Sequence, residues 1–360
     1  MKLQIEQNHL QSLLAKVIGA VNKKNTIPIL ANVKLVATDC LQATTTDLDM
    51  EITAKTQATV SEQGATTVPA DMFNGIVAKL PKGSLVSLSE AKGYLHIEAG
   101  RSKFKLATLP ANDFPVMADS SYDATLSFNG YELRNAIEKT AWAASTDETR
   151  YFLQGIAMQY RDGKANFVAT DGHRLAWYVD VDVTDFPSVI IPSATAKQFK
   201  TLLDDGEATI EVSETKIKLT FNDLSIVSKV IDGTYPDWSR IIPEKNSNSI
   251  TLASIEAKHA IERVTTVATD RTKAVRFGVL GGELTLTVQD QTGGMAQEVM
   301  TVDQVGNDAD IGMNSKYALD AFAQADKGDV TIHYGGGMDP MLVKYEKEPG
   351  LTAVVMPVRM

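Results

Sequence analysis

The chain has 360 residues, 44% hydrophobic and 22% charged, with 45 acidic against 35 basic groups for a formal charge of −10. That length exceeds a single hydrophobic core, the composition excludes a disordered chain, and no apolar run approaches the roughly 20 residues that span a bilayer. Cys40 is the only cysteine and leaves no internal disulfide, and residues 1–10, MKLQIEQNHL, lack the apolar centre of a signal peptide, so a cytoplasmic protein without membrane attachment is expected.

In chain order, the first predicted element is an amphipathic helix carrying Leu10, Leu13, Leu14 and Val17 on one face. A similar stretch returns at Leu133, Ile137, Ala141 and Ala144, and again at Ala257, Ala260, Ile261 and Val264, a period near 120 residues. β-like runs then end at Asp47 in TTTDLDM, Asp171 in VATDGHR and Asp290 in TVQDQTG, spaced by 124 and 119. A second helix follows in TTVPADMFNGIVAKL (66–80), VIIPSATAKQFKTLL (189–203) and IGMNSKYALDAFAQA (311–325), with Pro69, Pro192 and Asn314 in matching places. The units close on LPANDFP, DGTYPDW and VVMPVRM. Four ordered landmarks, each met three times, predict three repeated domains at 1–120, 121–245 and 246–360.

Between the helices the pattern alternates with period two, as in Lys34-Leu35-Val36-Ala37, Thr209-Ile210-Glu211-Val212 and Leu284, Leu286, Val288. Asp47, Asp49 and Glu51 alternate in the same way with Leu48, Met50 and Ile52. Such runs are antiparallel strands, with hairpin turns predicted at Asp162-Gly163, Gly281-Gly282 and Gly335-Gly336. Each repeat is then an α+β unit with two helices packed on antiparallel sheets.

The net charge argues against nucleic acid, which Lys and Arg bind, but its distribution is uneven. Residues 1–120 carry 12 basic and 11 acidic groups (+1), residues 121–245 carry 13 and 19 (−6), and residues 246–360 carry 10 and 15 (−5). Basic groups also recur on the polar sides of helices: Lys16 in the first repeat, Lys197 and Lys200 opposite Phe199, Leu202 and Leu203, then His259 and Arg263. Two readings stand side by side, solvated helix faces or an arc presenting cations to phosphates without reading sequence.

Catalysis finds no support. Asp171 and His173 in TDGHRLA resemble a base and its orienting carboxylate, yet no nucleophile has a matching context. Metal and nucleotide signatures are missing as well, so no cofactor is expected. Asp171-Gly172 reads equally as a turn beside exposed His173 and Arg174. The terminal run Val354 to Met360 is apolar and methionine-containing, which suits an adaptable peptide groove.

The segments TIPIL (26–30), TDLDMEI (46–52), GATTVPA (64–70), GRSKFKLATLPANDFP (100–115), VATDGHRLA (168–176), SKVIDGTYPDW (228–238) and VVMPVRM (354–360) together resemble the bacterial sliding clamps, the β subunit of DNA polymerase III, over all three repeats. The resemblance implies two arcs joined head to tail as a homodimeric ring around double-stranded DNA, with helices lining the hole and no catalysis. Such a ring tethers a polymerase, so that rebinding is intramolecular. Implied partners are the polymerase III α subunit, the clamp-loader δ subunit, and other polymerases and repair proteins carrying a clamp-binding peptide.

The same resemblance implies a peptide pocket from Leu153, Thr170, Gly172, His173, Arg174 and Leu175, with Pro236, Arg240 and Ile241 from the inter-domain segment. Pro340, Val354, Val355, Met356, Pro357, Val358, Arg359 and Met360 complete it. For DNA it points to Lys24, Arg150, Tyr151 and Phe152, and the helix-face residues Lys197 and Lys200 are added to these. At the subunit interface Arg101 and Lys103 flank Phe104 and Leu106, which would face Thr266 and Val267 of the other subunit. Glu298 is the one acid of the matching third-repeat strand, where some relatives carry an acidic cluster, so apolar burial and strand pairing are expected to outweigh ion pairs there.

Overall fold

The structure, a computed structural model, describes residues 1–21, 27–117, 121–268 and 274–359. Two compact units emerge. The first takes Met1–Arg134, Asp185–Val189 and Lys197–Val230, and the second Asn135–Thr184, Ile190–Ala196 and Ile231–Met360. The division passes through the middle repeat, and strand pairing explains why.

In the first unit, strand Leu224–Lys229 of the middle repeat pairs antiparallel with Met50–Thr56 of the first, Ser228 opposite Met50. Among the described residues this joins eight strands into one sheet. A five-stranded sheet completes the unit and ends on Ser102–Ala107. In the second unit, Arg174–Asp182 pairs with Leu351–Val355, Leu175 opposite Val354, within a nine-stranded sheet. A four-stranded sheet there ends on Met295–Thr301.

Among the described residues there are six α-helices: α1 Gln7–Val17, α2 Ala70–Lys79, α3 Gly130–Ala141, α4 Ser193–Leu202, α5 Ser254–Val264 and α6 Ser315–Phe322. Their starts follow from local chemistry. Pro69, with its fixed φ, precedes α2, and the Asn314 side chain accepts from the Lys316 and Tyr317 amides to cap α6. Leu10, Leu13, Leu14 and Val17 of α1 are buried as predicted, each burial contributing about 1.5–3 kcal/mol. Gln7 Nε2 donates to the Val77 carbonyl at 2.8 Å and ties α1 to α2.

The face predicted for α3 needs correction. Ala141 is exposed and Ala144 lies past the helix end, while Ala136 and Thr140 are buried with Leu133 and Ile137. Thr140 serves an apolar face because its hydroxyl donates to the Ala136 carbonyl at 2.7 Å, so no polar group is left unpaired.

Asp162-Gly163 and Gly281-Gly282 form tight hairpin turns with positive φ at both residues, 54° and 80°, then 59° and 85°. Gly335-Gly336 does not. A longer loop joins Asp329–Tyr334 to Met341–Tyr345, because the Asp339 carboxylate accepts the Gly336 amide at 2.6 Å and closes a wider turn. The alternation at Asp47 to Ile52 is likewise strand only from Met50; Asp47, Leu48 and Asp49 make the turn before it.

Candidate functional site

Each of the three repeated aspartates ends a strand and folds back on the amides that follow. Asp47 Oδ1 accepts from Asp49 and Met50, Asp171 Oδ1 from His173 and Arg174, and Asp290 Oδ2 from Thr292. Asp171 is therefore a turn former, as the bland reading held, and His173 is exposed beside it.

Around the Asp171 turn the predicted pocket residues come together. Leu153, Leu175 and Val354 are buried in one apolar cluster with Ala157, Val168, Ile190, Tyr235 and Trp238, and Ile241 and Phe152 pack against it. The buried Thr170 hydroxyl donates to the Arg174 carbonyl at 2.6 Å and accepts the Gly172 amide at 3.1 Å. Gly172 sits at φ 87°, and a Cβ there would stand 3.0 Å from Arg150 Nη1, so both conformation and space ask for glycine.

The tail continues this site. Val355 pairs with Arg174, the Met356 amide donates to the His173 carbonyl at 2.9 Å, and the Val358 amide donates to Gly312 at 2.9 Å. Met356, Pro357 and Val358 are half-buried and Arg359 is exposed. Pro236 and Arg240 are exposed, with Arg240 Nε 2.8 Å from Asp237. The Pro340 carbonyl accepts from Asn246 at 2.8 Å. Met360 lies outside the described residues.

Arg174 is a brace more than an open pocket group. Its Nε donates to Asp171 Oδ2 at 3.1 Å, its Nη1 to Asp320, and its guanidinium lies 5.2 Å from the Trp142 ring and 4.8 Å from the Tyr317 ring. Tyr317 in turn stacks on His173 with ring centroids 6.1 Å apart. Burial pushes the Tyr235 hydroxyl above the usual phenol range, against a contact with the Thr170 backbone that falls short of full hydrogen-bond geometry. An apolar wall beside a turn fixed by its own hydrogen bonds suits a short extended peptide.

The residues expected at DNA fare unevenly. Lys24 lies outside the described residues, as does Thr26 of TIPIL. Arg150 Nη1 donates to the Asp171 carbonyl at 2.8 Å and its Nε to Asp147 at 3.1 Å, and its side chain stays 39% exposed. Tyr151 is exposed, Phe152 half-buried, Lys197 exposed and Lys200 half-buried.

At the expected interface, Ser102–Ala107 and Met295–Thr301 are both sheet edges. Arg101 and Lys103 are exposed, and Phe104 is 36% exposed, but Leu106, on the same strand face as Phe104, is buried within its own subunit opposite the buried Leu95. Lys103 pairs with Glu98 at 3.0 Å. Glu298 is committed to Arg263, Nε to Oε2 3.0 Å, and that hydrogen bond holds its carboxyl below the ordinary range. Thr266 is exposed and Val267 half-buried at the end of a short 3-10 turn.

Residues that the sequence reading did not assign include Trp238, whose indole donates to Gln159 at 2.9 Å and packs 5.0 Å from Trp177. Trp142, Tyr317 and Asp320 were missed as well. The only sequence signal for Trp238 is its place in the recurring DGTYPDW; the others lie far apart along the chain. Among the described residues no group of His, Cys, Asp and Glu gathers as a metal site, and no helix is long and apolar enough to cross a membrane.

Comparison with known proteins agrees with this frame. The N-terminal, central and C-terminal domain families of the DNA polymerase III beta subunit match residues 1–118, 127–237 and 239–359. The beta sliding clamp of Caulobacter vibrioides is 38% identical over 371 residues, covering all of both chains. Among solved structures, pol III beta of Caulobacter crescentus matches with a TM-score of 0.94 at 38% identity over the whole of both chains. A sliding clamp from Bartonella birtlesii bound to griselimycin matches with a TM-score of 0.96 at 33% identity, again over both whole chains. With all three repeats matched in order and each of these three relatives matched over its full length, the chain belongs to the DNA polymerase III beta subunit family, the bacterial beta sliding clamps.

Proposed function

We propose that two copies of this sliding clamp close head to tail into a ring around duplex DNA and hold replication and repair proteins on it through the site at the Asp171 turn. The observation that carries the reading is that site itself: a hydrogen-bonded turn, an apolar cluster and the half-buried residues Met356, Pro357 and Val358 beside them. The ring reading rests on the two exposed edge strands, Ser102–Ala107 and Met295–Thr301, whose unpaired backbone groups are ready to extend a sheet. The Lys103–Glu98 and Arg263–Glu298 pairs take up part of the charge at the two edges, so apolar contact and strand pairing carry most of the joint.

The chain's work is then topological and non-catalytic, carried out in the cytoplasm. Domains at 1–120, 121–245 and 246–360 supply it, with Lys24, Arg150, Tyr151, Phe152, Lys197 and Lys200 facing the DNA and the cations among them meeting phosphates. Docked partners are the polymerase III α subunit, the clamp-loader δ subunit and other proteins with a matching peptide. The test loads the protein onto nicked circular DNA with its loader and ATP, then cuts the circle. Loss of protein on linearisation is expected; retention on linear DNA would overturn encirclement and leave a peptide-binding adaptor.

A further inference from the structure

The Asp47 turn repeats the Asp171 turn bond for bond. Thr46 Oγ1 donates to the Met50 carbonyl at 2.8 Å and accepts the Leu48 amide at 3.1 Å, where Thr170 does the same with Arg174 and Gly172 at 2.6 and 3.1 Å. Asp47 and Asp171 each accept two following amides. Ser228 pairs with Met50 as Val355 pairs with Arg174. The next residue then closes the frame: the Lys229 amide donates to the Asp49 carbonyl at 2.8 Å, as the Met356 amide does to His173 at 2.9 Å.

The segment after the first repeat matches as well, with buried Phe114 and then Pro115 standing where Tyr235 and Pro236 stand in the second. Together these elements enclose a groove of about 210 Å³ lined by Thr46, Leu48, Pro115, Val116, Met117, Lys216 and Lys229. It is smaller than the roughly 300–1,000 Å³ of pockets for drug-sized molecules and suits one aliphatic side chain.

Its lining differs from the tail site in two ways that define a ligand. Leu48 replaces Gly172 and holds φ 79°, a conformation that costs a leucine about 1 kcal/mol or more, yet the residue is 41% exposed, and Val116 beside it is 63% exposed. The charged residues of the lining are both cations, and Lys216 and Lys229 face each other directly across neighbouring strands, an arrangement that favours a nearby anion. Asp49 meets Lys229 at 2.9 Å as an exposed pair, and Glu51 is turned to the Met117 amide at 3.0 Å.

We propose that this groove is a second docking site, for a short extended peptide segment that places an aliphatic side chain beside a carboxylate. The inference rests on reading the tail site as a peptide pocket, since the frame is borrowed from it. Two such sites on one chain would let a partner with two segments bind at both, each raising the effective concentration at the other.

The test is a methyl NMR titration of the full-length protein, labelled at Met, Leu and Val, with the peptide Ser-Asp-Leu-Phe-Ser and its neutral form Ser-Asn-Leu-Phe-Ser. Saturable shifts of the Leu48, Val116 and Met117 methyls are expected, weakened about fivefold in the neutral peptide and in Lys229→Gln, the size of an exposed ion pair, and lost in Leu48→Asp. Shifts confined to Val354 and Met356 would overturn the second site and leave the tail pocket standing. Shifts at neither cluster would overturn both, and shifts that follow protein concentration without peptide would assign the groove to a second copy of the chain and overturn the peptide reading.

Discussion

Replacing Arg174 with methionine should loosen the tail site without unfolding the chain. The guanidinium side chain is 10% exposed and pairs with Asp171, itself 14% exposed, and with Asp320, 37% exposed. Two aromatic contacts contribute about 1 kcal/mol each, and the shielded hydrogen bond to Asp171 about 1.5 kcal/mol. The Asp320 contact, more than a third exposed on the acid side, adds less than about 0.5 kcal/mol after screening. Methionine keeps part of the ring packing, and Asp171 keeps its two backbone donors, so a net loss of about 3 kcal/mol is expected. Hydrogen exchange with mass analysis reads this locally: protection of residues 170–176 and 352–358 should fall about a hundredfold, while α1 and its sheet stay protected. Arg174→Lys should recover part of the loss, because it keeps charge without the planar fork. Unchanged protection in Arg174→Met would refute the brace, and a uniform loss across the chain would refute its locality.

Three further outcomes follow from the structure. Deleting Met356 to Met360 removes the backbone bonds from Met356 to His173 and from Val358 to Gly312, so peptide affinity measured by calorimetry should drop at least about tenfold with the circular dichroism spectrum and dimer mass unchanged. Val299, 51% exposed on an edge strand, should weaken the dimer when changed to Asp, and sedimentation should show only a shallow salt dependence in the native protein; a steep one would point back to ion pairs. Burial, with Lys344 second, lowers the His333 pKa in the folded state, so the unfolded chain takes the proton first and stability falls as pH drops below the ordinary value of about 6.5. His333→Gln should therefore unfold later than the native protein at pH 5 and show no such gain at pH 8.

The repeats, helix positions and strand alternation were legible because each is a short-range pattern that burial enforces. Where local chemistry competed with the pattern, the pattern misled: Asp47 captures the amides of Asp49 and Met50, so an alternating run begins as a turn, and Thr140 hides its hydroxyl on the helix backbone and joins an apolar face. Leu106 shows another limit at an edge, since alternation puts it on one face with Phe104 and could not tell that it is buried in its own subunit while Phe104 is 36% exposed. The candidate site was legible as motifs flanking it. Its supports were not, because Arg150 reaches the Asp171 carbonyl from 21 residues away and Arg174 reaches Asp320 across 146, separations that no periodicity records.

The strand Leu351–Val355 lies fifth among the nine strands of its sheet, between Arg174–Asp182 and Met341–Tyr345. During synthesis the halves of that sheet therefore wait for Leu351–Val355, with Arg174–Asp182 presenting an unpaired edge until that strand has been made. The first unit has a similar delay, its Met50–Thr56 edge waiting for Leu224–Lys229. Pairings of such sequence separation are slow to form and expose sticky edges meanwhile, so a ribosome that stalls before Leu351 should release an aggregating chain, whereas one that has passed Val355 lets a single strand lock two repeats at once.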